Sequence, residues 1–194
     1  MGKLIFFVGG AGAGKTTLAK QAALRLGAVY LDMDTLLRPA AEALMRAAGL
    51  DPTDRDSADY KRLCRDVGYR ITMDAAWENA ALGATVFVVG PFTREIADSG
   101  WLDRELARSG GALGPADVKA IRVFLPDERL YRERIEGRGS ELDRWKLDNW
   151  EAFRRSLAGT PVAWPLPEGS ALDFDNSAPL TEARLAELVR WIRK

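Results

Sequence analysis

The sequence contains no histidine. Without an imidazole group, neither a histidine-ligated metal nor a histidine general base is available, so acid–base chemistry falls to carboxylates. Cysteine is almost absent as well. Cys64 is the sole one, which excludes an internal disulfide and favours a reducing compartment.

Net charge is also missing, since 28 Lys and Arg side chains balance 28 Asp and Glu side chains. This balance argues against a protein that coats nucleic acid, although it is compatible with a local basic groove. The apolar run at residues 4–8 is too short for a signal-peptide core or a membrane span. We therefore expect a cytoplasmic protein without a membrane segment. Its 194 residues, 47% of them hydrophobic, suit one domain spanning residues 1–194.

A phosphate-binding loop is the most informative feature that is present. Residues 9–16 read Gly-Gly-Ala-Gly-Ala-Gly-Lys-Thr, which completes the pattern G-x-x-x-x-G-K-S/T. A predicted strand, Leu4–Val8, precedes the loop, and a predicted helix, Thr17–Leu26, follows it. In this context backbone N–H groups and a helix N-terminus converge on phosphate oxygens. The alternative is a Gly/Ala-rich turn that binds nothing.

The loop predicts contacts with a nucleoside triphosphate, ATP in our interpretation. Lys15 would reach the β- and γ-phosphates and take part in catalysis, and the Thr16 hydroxyl would ligate Mg²⁺. The predicted nucleotide-contacting residues of the loop are Gly10, Ala11, Gly12, Ala13, Gly14, Lys15, Thr16 and Thr17.

Predicted strands and helices alternate along the rest of the chain, which indicates an α/β fold with a parallel sheet between two helical layers. Ligands in such folds lie beyond the carboxyl ends of the strands. The further predicted strands are 28–31, 85–89, 120–125 and 171–175. The predicted helices include 35–48, 60–82 with a possible break near Gly68, 93–108, 142–157 and 180–192.

Three features favour a kinase over other phosphate-loop proteins. The N-K-x-D type of guanine-specificity motif is absent. The strand at 85–89 ends in Val-Gly-Pro without the acidic residue that a motor-type ATPase places there. An arginine-rich segment at about 126–146 suits a lid that excludes water from the phosphates.

With these motifs the chain resembles the small P-loop kinases, which include shikimate and gluconate kinases, chloramphenicol phosphotransferase, zeta toxins and related "AAA family ATPase" kinases of bacteria and phages. The resemblance rests on Gly9–Thr17, Asp32-x-Asp34, Gly90-Pro91-Phe92-x-Arg94 and the stretch 134–150. That last stretch fits the sugar-acid kinases less closely than uncharacterised members. The resemblance implies a P-loop NTPase sandwich with a five-stranded parallel sheet of order 2-3-1-4-5.

The resemblance also implies roles for two aspartates. Asp32 would help to hold Mg²⁺, and Asp34 would contact the acceptor hydroxyl or act as the base. Independently, carboxylates two residues apart at the end of a strand point the same way, toward the predicted triphosphate. Which of the two acts as the base stays open. The alternative is that one of them only caps the helix predicted to start at Thr35.

Five further side chains complete the predicted site. Arg134 would stack on adenine, and Arg138 and Arg144 would clamp phosphates or substrate, because the planar guanidinium binds phosphate at two points. Arg70 and Arg94 are candidate substrate contacts, with a solvated arginine and a helix-start ion pair as their alternatives.

Other polar and aromatic residues leave two interpretations each. Asn176 follows the last predicted strand, and the backbone of this loop would run beside the adenine base. The alternative is a plain Asx turn. For Arg129 and Arg132 we favour ion pairs on a solvated helix. Trp145 and Trp150 would stack a base or pack into the core, and packing is the better prediction for each.

The leading hypothesis is a kinase that transfers the ATP γ-phosphate to a hydroxyl of a small molecule or nucleotide. A second hypothesis places the hydroxyl in nucleic acid, as in hydroxymethyluracil or a 5′ end, with Trp145-Lys146 beside the lid arginines as the hint. A third is a nucleotide-dependent switch without an acceptor.

Overall fold

Five parallel strands form the central sheet of the computed structural model, which describes residues 2–111, 113–140, 143–157 and 159–194. The strand order is β2-β3-β1-β4-β5, and every neighbouring pair is parallel. This is the fold class and order that the resemblance implies. The strands are β1 Lys3–Val8, β2 Val29–Asp32, β3 Thr85–Val89, β4 Val118–Phe124 and β5 Ala171–Asp175.

Helices cover both faces of the sheet, because alternate residues of the central strand β1 point to opposite sides. The helices are α1 Lys15–Leu26, α2 Met33–Ala47, α3 Ala58–Ala81, α4 Trp101–Arg108, α5 Glu128–Gly137, α6 Arg144–Asp148, α7 Trp150–Arg154 and α8 Glu182–Arg193. Leu4 and Phe6 pack with residues of α3 and α4, whereas Ile5 and Phe7 pack with α1 and α8. In the part of the chain that the structure describes, no helix is both long and apolar enough to span a bilayer.

The helix predicted at 93–108 was wrong in its first half, since residues 93–97 form turns and α4 starts at Trp101. The reason lies in backbone carbonyls that a helix would need for itself. The Trp164 indole donates to the Glu95 carbonyl at 2.7 Å, and the Ala163 N–H donates to the Ile96 carbonyl at 2.8 Å. The Glu95 carbonyl also accepts from the Asp98 N–H at 3.2 Å, a turn bond, so residues 163–164 stabilise a turn at this point.

The helix predicted at 142–157 is two short helices, α6 and α7, with residue 142 outside the described residues. Asn149 separates them with φ −114° and ψ 39°, outside helical values. The predicted lid segment, residues 126–146, therefore contains α5 and the beginning of α6.

The predicted break at Gly68 is also wrong, because α3 runs without interruption through this residue. Gly68 meets a spatial need instead. A Cβ built on it would lie 2.7 Å from Leu37 Cδ2 of α2, and Leu37 is 2% exposed. The glycine lets α2 approach α3, which places both helices beside the phosphate-binding loop.

We expect Gly68→Ala to be less stable than Gly137→Ala by about 1–3 kcal/mol, the usual cost of overpacking. Gly68 is inside α3, where alanine gains at most about 1 kcal/mol of helix propensity, whereas Gly137 is the last residue of α5 and a Cβ on it meets no atom within 4 Å. Urea unfolding of the two variants measures the difference. Equal stability would contradict the close packing of α2 on α3.

Candidate active site

The phosphate-binding loop leads directly into α1, whose N-cap is Gly14. Gly14 has φ 91° and no side-chain cap, so the first N–H groups of α1 face the loop without competition from a capping side chain. The Lys15 Nζ donates to the Gly10 carbonyl at 2.9 Å across the loop. Burial lowers the pKa of Lys15 to about 8, although Asp34 acts in the opposite direction.

Asn176 and Arg134 support the loop from behind. The Asn176 amide donates to the Ala13 carbonyl at 2.8 Å, and Arg134 donates to the same carbonyl at 3.3 Å and to the Asn176 carbonyl at 2.6 Å. Because a Cβ on Gly14 would lie 2.4 Å from Asn176 Nδ2, only glycine fits there. These two residues line a cavity of about 350 Å³ with Gly12, Gly14, Thr17, Leu18, Arg138, Ala178, Pro179 and Leu180.

Asp32 connects the loop to the next strand and helix. Its Oδ2 accepts hydrogen bonds from Thr16 Oγ1 at 3.1 Å and from the Tyr30 hydroxyl at 2.8 Å. Its Oδ1 accepts from the N–H groups of Asp34 and Thr35. Asp32 is therefore the N-cap of α2, which starts at Met33 and not at the predicted Thr35.

The adjacent oxygens of Thr16 and Asp32 fit a Mg²⁺ ion, which prefers hard oxygen ligands and usually binds one or two protein groups together with phosphates. Among the described residues no cluster of three or more Cys, Asp and Glu side chains forms a cage for a metal. Tyr30, which orients the Asp32 carboxylate, was missed in the sequence because nothing in its spacing distinguishes it from a strand residue.

Asp34 lies in the first turn of α2 and faces a cavity of about 600 Å³. Its pKa is raised, first because the surrounding protein displaces water and second because Asp32 is nearby. Lys15, Lys146 and Arg38 act in the opposite direction. The two aspartates thus have different environments, one bonded at the loop and one open to the cavity.

Basic side chains dominate the lining of this cavity, seven against three acidic ones. The basic residues are Arg38, Arg55, Lys61, Arg65, Arg94, Arg138 and Lys146, and the acidic ones are Asp34, Asp56 and Asp143. Ala11, Pro91 and Thr93 also contribute, so the cavity touches the loop and the turn after β3.

The turn after β3 is held in a strained conformation. Phe92 has φ 48°, a value that few residues other than glycine adopt. Its N–H donates to the Tyr69 hydroxyl at 3.1 Å, and its ring makes edge contacts with Phe6, Tyr69 and Trp101. These contacts offset the strain and direct Thr93 and Arg94 toward the cavity.

The predicted arginines divide into two groups. Arg94 and Arg138 line the cavity. Arg70 instead contacts Glu105 at 3.2 Å and Asp74 at 2.7 Å, and it borders a separate small pocket. Arg144 is exposed at the start of α6 and is not among the described lining residues.

Arg70 is the α3 arginine that the sequence predicts as a substrate contact, but Arg65 is the α3 arginine that faces the cavity. Five helical residues correspond to about 140° of rotation, so the two point in different directions. Lys61, Arg65 and Tyr69 share the cavity face at intervals of four, and Arg38 follows Asp34 by four on α2. This periodic pattern is the signal in the sequence that could have identified them.

The predicted lid segment contacts α3 and the connector before it. The Lys146 Nζ lies 2.9 Å from Asp143 Oδ1 and 3.7 Å from Asp56 Oδ2. Lys61 lies over the ring of Trp145 at 5.8 Å. Trp145 is 42% exposed, so the prediction that it packs into the core is wrong. Trp150 contacts Phe153 and Arg132, as a packing residue would. Arg129 and Arg132 pair with Asp127 and Glu136.

Residues 4–160 match a family model described as an AAA domain. Among solved structures, the fold is similar to a sugar kinase from Janibacter sp. HTCC2649, with 16% identity, coverage of 100% and 95% of the two chains, and a TM-score of 0.64. It is also similar to a Mycobacterium tuberculosis APS kinase in complex with AMPPNP and APS. The identity is 17%, the match covers 100% of this chain and 98% of the other, and the TM-score is 0.60. A gluconokinase from Sinorhizobium meliloti 1021 is similar with 18% identity, coverage of 98% of this chain and 89% of the other, and a TM-score of 0.54. None of the curated proteins compared with the chain matches it.

Replacing Asn176 with alanine is expected to destabilise the protein by about 1–2 kcal/mol, because it removes a buried hydrogen bond to Ala13. The loosened loop should bind AMPPNP about tenfold more weakly. Calorimetric titration and urea unfolding measure the two effects. The matched control is Asn79→Ala, whose amide donates to Ala75 within α3. Loss of stability without loss of AMPPNP affinity would contradict the support role.

Proposed function

The chain belongs to the AAA domain family and has the fold of the small P-loop kinases, and on this premise we propose that it is an ATP-dependent kinase with an alcohol group as acceptor. The observation that carries the proposal is the position of Asp34. This carboxylate lies between Lys15, within electrostatic reach in the phosphate-binding loop, and a cavity of about 600 Å³ that admits a second substrate.

The nucleotide would bind on the loop side. Backbone N–H groups from Gly10 to Thr17 and the Lys15 ammonium would hold the phosphates, and the cavity between Arg134 and Pro179 would take the base. Thr16 and Asp32 would hold Mg²⁺, which when bound neutralises negative charge on the phosphate oxygens.

The acceptor would bind in the larger cavity with its hydroxyl toward Asp34. In the reaction its oxygen bonds to the γ-phosphorus, the bond from that phosphorus to the ADP oxygen breaks, and the hydroxyl proton passes to Asp34. Arg138 borders both cavities and would stabilise the charge on the transferred group. Closure of the lid segment would keep water from replacing the alcohol.

A nucleotide-dependent switch explains the site less well. A switch needs the loop and the metal-side groups, but it has no use for a deep second cavity that meets the loop at a carboxylate. The test is transfer of label from γ-labelled ATP with Mg²⁺ to a panel of hydroxyl compounds, nucleosides and modified DNA. Slow turnover alone and fast turnover with one acceptor supports a kinase. Turnover that rises with a protein partner and yields no phosphorylated product overturns it.

Asp34→Asn is expected to lower kcat for phosphoryl transfer by about 10²- to 10⁴-fold, the usual range for a lost general base, while ATP still binds. Thermal stability should not fall, because a raised pKa means that the ionised carboxylate costs folding free energy above that pKa. Asp103→Asn is the matched control, since Asp103 is the acidic residue in the first turn of α4. Unchanged transfer in Asp34→Asn would remove this residue from the mechanism.

The pH dependence of kcat/KM for ATP is expected to be bell-shaped, because it reports ionisations of the free protein. On the acid side activity falls as pH drops through the raised pKa of Asp34, since only the ionised carboxylate accepts the proton. On the alkaline side activity falls as pH rises through about 8, since Lys15 then loses its charge. Steady-state rates at subsaturating ATP measure both limbs. A flat profile from pH 6 to 10 contradicts these two roles.

A further inference from the structure

Three cations that line the large cavity have no carboxylate within 4.0 Å among the described residues. They are Arg38, Lys61 and Arg94, and all three are exposed to the cavity. The other four basic lining residues have acidic partners: Arg55 pairs with Glu42, Arg65 with Glu95, Arg138 with Asp143, and Lys146 with Asp143 and Asp56.

Cations on the outward faces of the same helices are neutralised locally. On α2, Arg46 lies 3.3 Å from Glu42, and on α3, Arg62 lies 3.0 Å from Asp59. Arg38 on α2 and Lys61 on α3 lack such a partner although their helices carry acids elsewhere. On α2 and α3 the unpaired positive charge is therefore confined to the faces that border the cavity.

The three cations come from three elements and lie around the acceptor side of Asp34. Arg38 follows Asp34 by one turn of α2 and is close enough to act on its ionisation. Lys61 lies in the first turns of α3, next to the lid residue Trp145. Arg94 ends the strained turn that Phe92 and Tyr69 hold in place. None of the three belongs to the phosphate-binding loop, so their charge is available to the acceptor.

A neutral polyol would leave this charge uncompensated when it displaces water from the cavity, and desolvating an unpaired cation is costly. An anionic group would accept charge-assisted hydrogen bonds, which are about twice as strong as neutral ones. The same charge would steer an anion into the cavity.

We propose that the acceptor is itself an anion, a small hydroxyl compound with a carboxylate or phosphate group that docks on Arg38, Lys61 and Arg94 while its hydroxyl faces Asp34. This inference rests on the proposed kinase function. It adds the chemical class of the second substrate and the residues that select it.

Phosphorylation of charge-matched pairs tests the class. Gluconate with glucose and glycerate with glycerol form the carboxylate arm, and deoxycytidine 5′-monophosphate with deoxycytidine forms the phosphate arm. We expect the acidic member of a pair to be phosphorylated with a kcat/KM at least about tenfold higher. Preference for the neutral members, or for an oligonucleotide over all small anions, overturns the proposal but leaves the kinase intact.

Sulfate binding tests the docking residues without a known acceptor. With Mg²⁺ and AMPPNP filling the loop, and ionic strength held constant with chloride, sulfate is titrated into wild type and into Arg38→Gln/Arg94→Gln and Lys61→Gln. We expect the affinity to fall at least about tenfold in the double variant and severalfold in Lys61→Gln. Arg46→Gln and Arg62→Gln, on the same helices but outside the cavity, should bind sulfate as wild type does.

The outcomes separate the two proposals. Sulfate binding that is absent from wild type, or equal in the cavity variants and the controls, overturns the anionic acceptor site. Failure of AMPPNP to bind, with sulfate affinity that still depends on Arg38 and Arg94, contradicts the kinase and leaves the anion site. Circular dichroism and urea unfolding verify that each variant is folded.

Discussion

The carboxylate of Asp32 is the constraint on which the site depends. One oxygen accepts from Thr16 and Tyr30, and the other caps the first turn of α2. Because these donors belong to α1, β2 and α2, a single side chain sets where the loop, the sheet edge and α2 meet. Asp34 follows on the same turn, so its approach to the loop is a consequence of how Asp32 is bound.

Opposite ionisation shifts mark the boundary between the two halves of the site. Burial lowers the pKa of Lys15 to about 8, and loss of water together with Asp32 raises the pKa of Asp34. Each group partly offsets the shift of the other. A lysine with a lowered pKa and an aspartate with a raised pKa thus lie together where a phosphate and an alcohol would meet.

The large cavity beside Asp34 is built from longer-range packing. Gly68 lets α3 pack against α2, and the Tyr69 hydroxyl accepts from the N–H of the strained Phe92. The Trp164 indole donates to the Glu95 carbonyl in the turn before α4. These contacts position Arg65, Arg94 and the cations of α2 and α3 around one cavity. In the predicted lid segment, Trp145 contacts Lys61 of α3, and Lys146 contacts Asp56 in the connector before α3. Selectivity in this protein would therefore come from residues far apart in the sequence.

The sequence by itself determined the phosphate-binding loop, the alternation of strands and helices, and the bounds of β3 and β5. Each of these depends on local spacing, backbone conformation or a run of apolar residues. It also placed Asp32, Asp34 and Arg94 at one rim of the sheet, because parallel strands end at one edge, and Asp34 and Arg94 line the large cavity there.

Only the tertiary structure decided which aspartate caps α2, why residues 93–97 are not helical, and that Arg65 rather than Arg70 faces the cavity. A cap depends on where the helix starts, and the direction of a side chain depends on which face its helix buries. The turn at Glu95 depends on Trp164, a partner 69 residues away. The spacing of Lys61, Arg65 and Tyr69 shows that they share one helical face, but which face borders the cavity is decided by contacts between segments that only folding brings together.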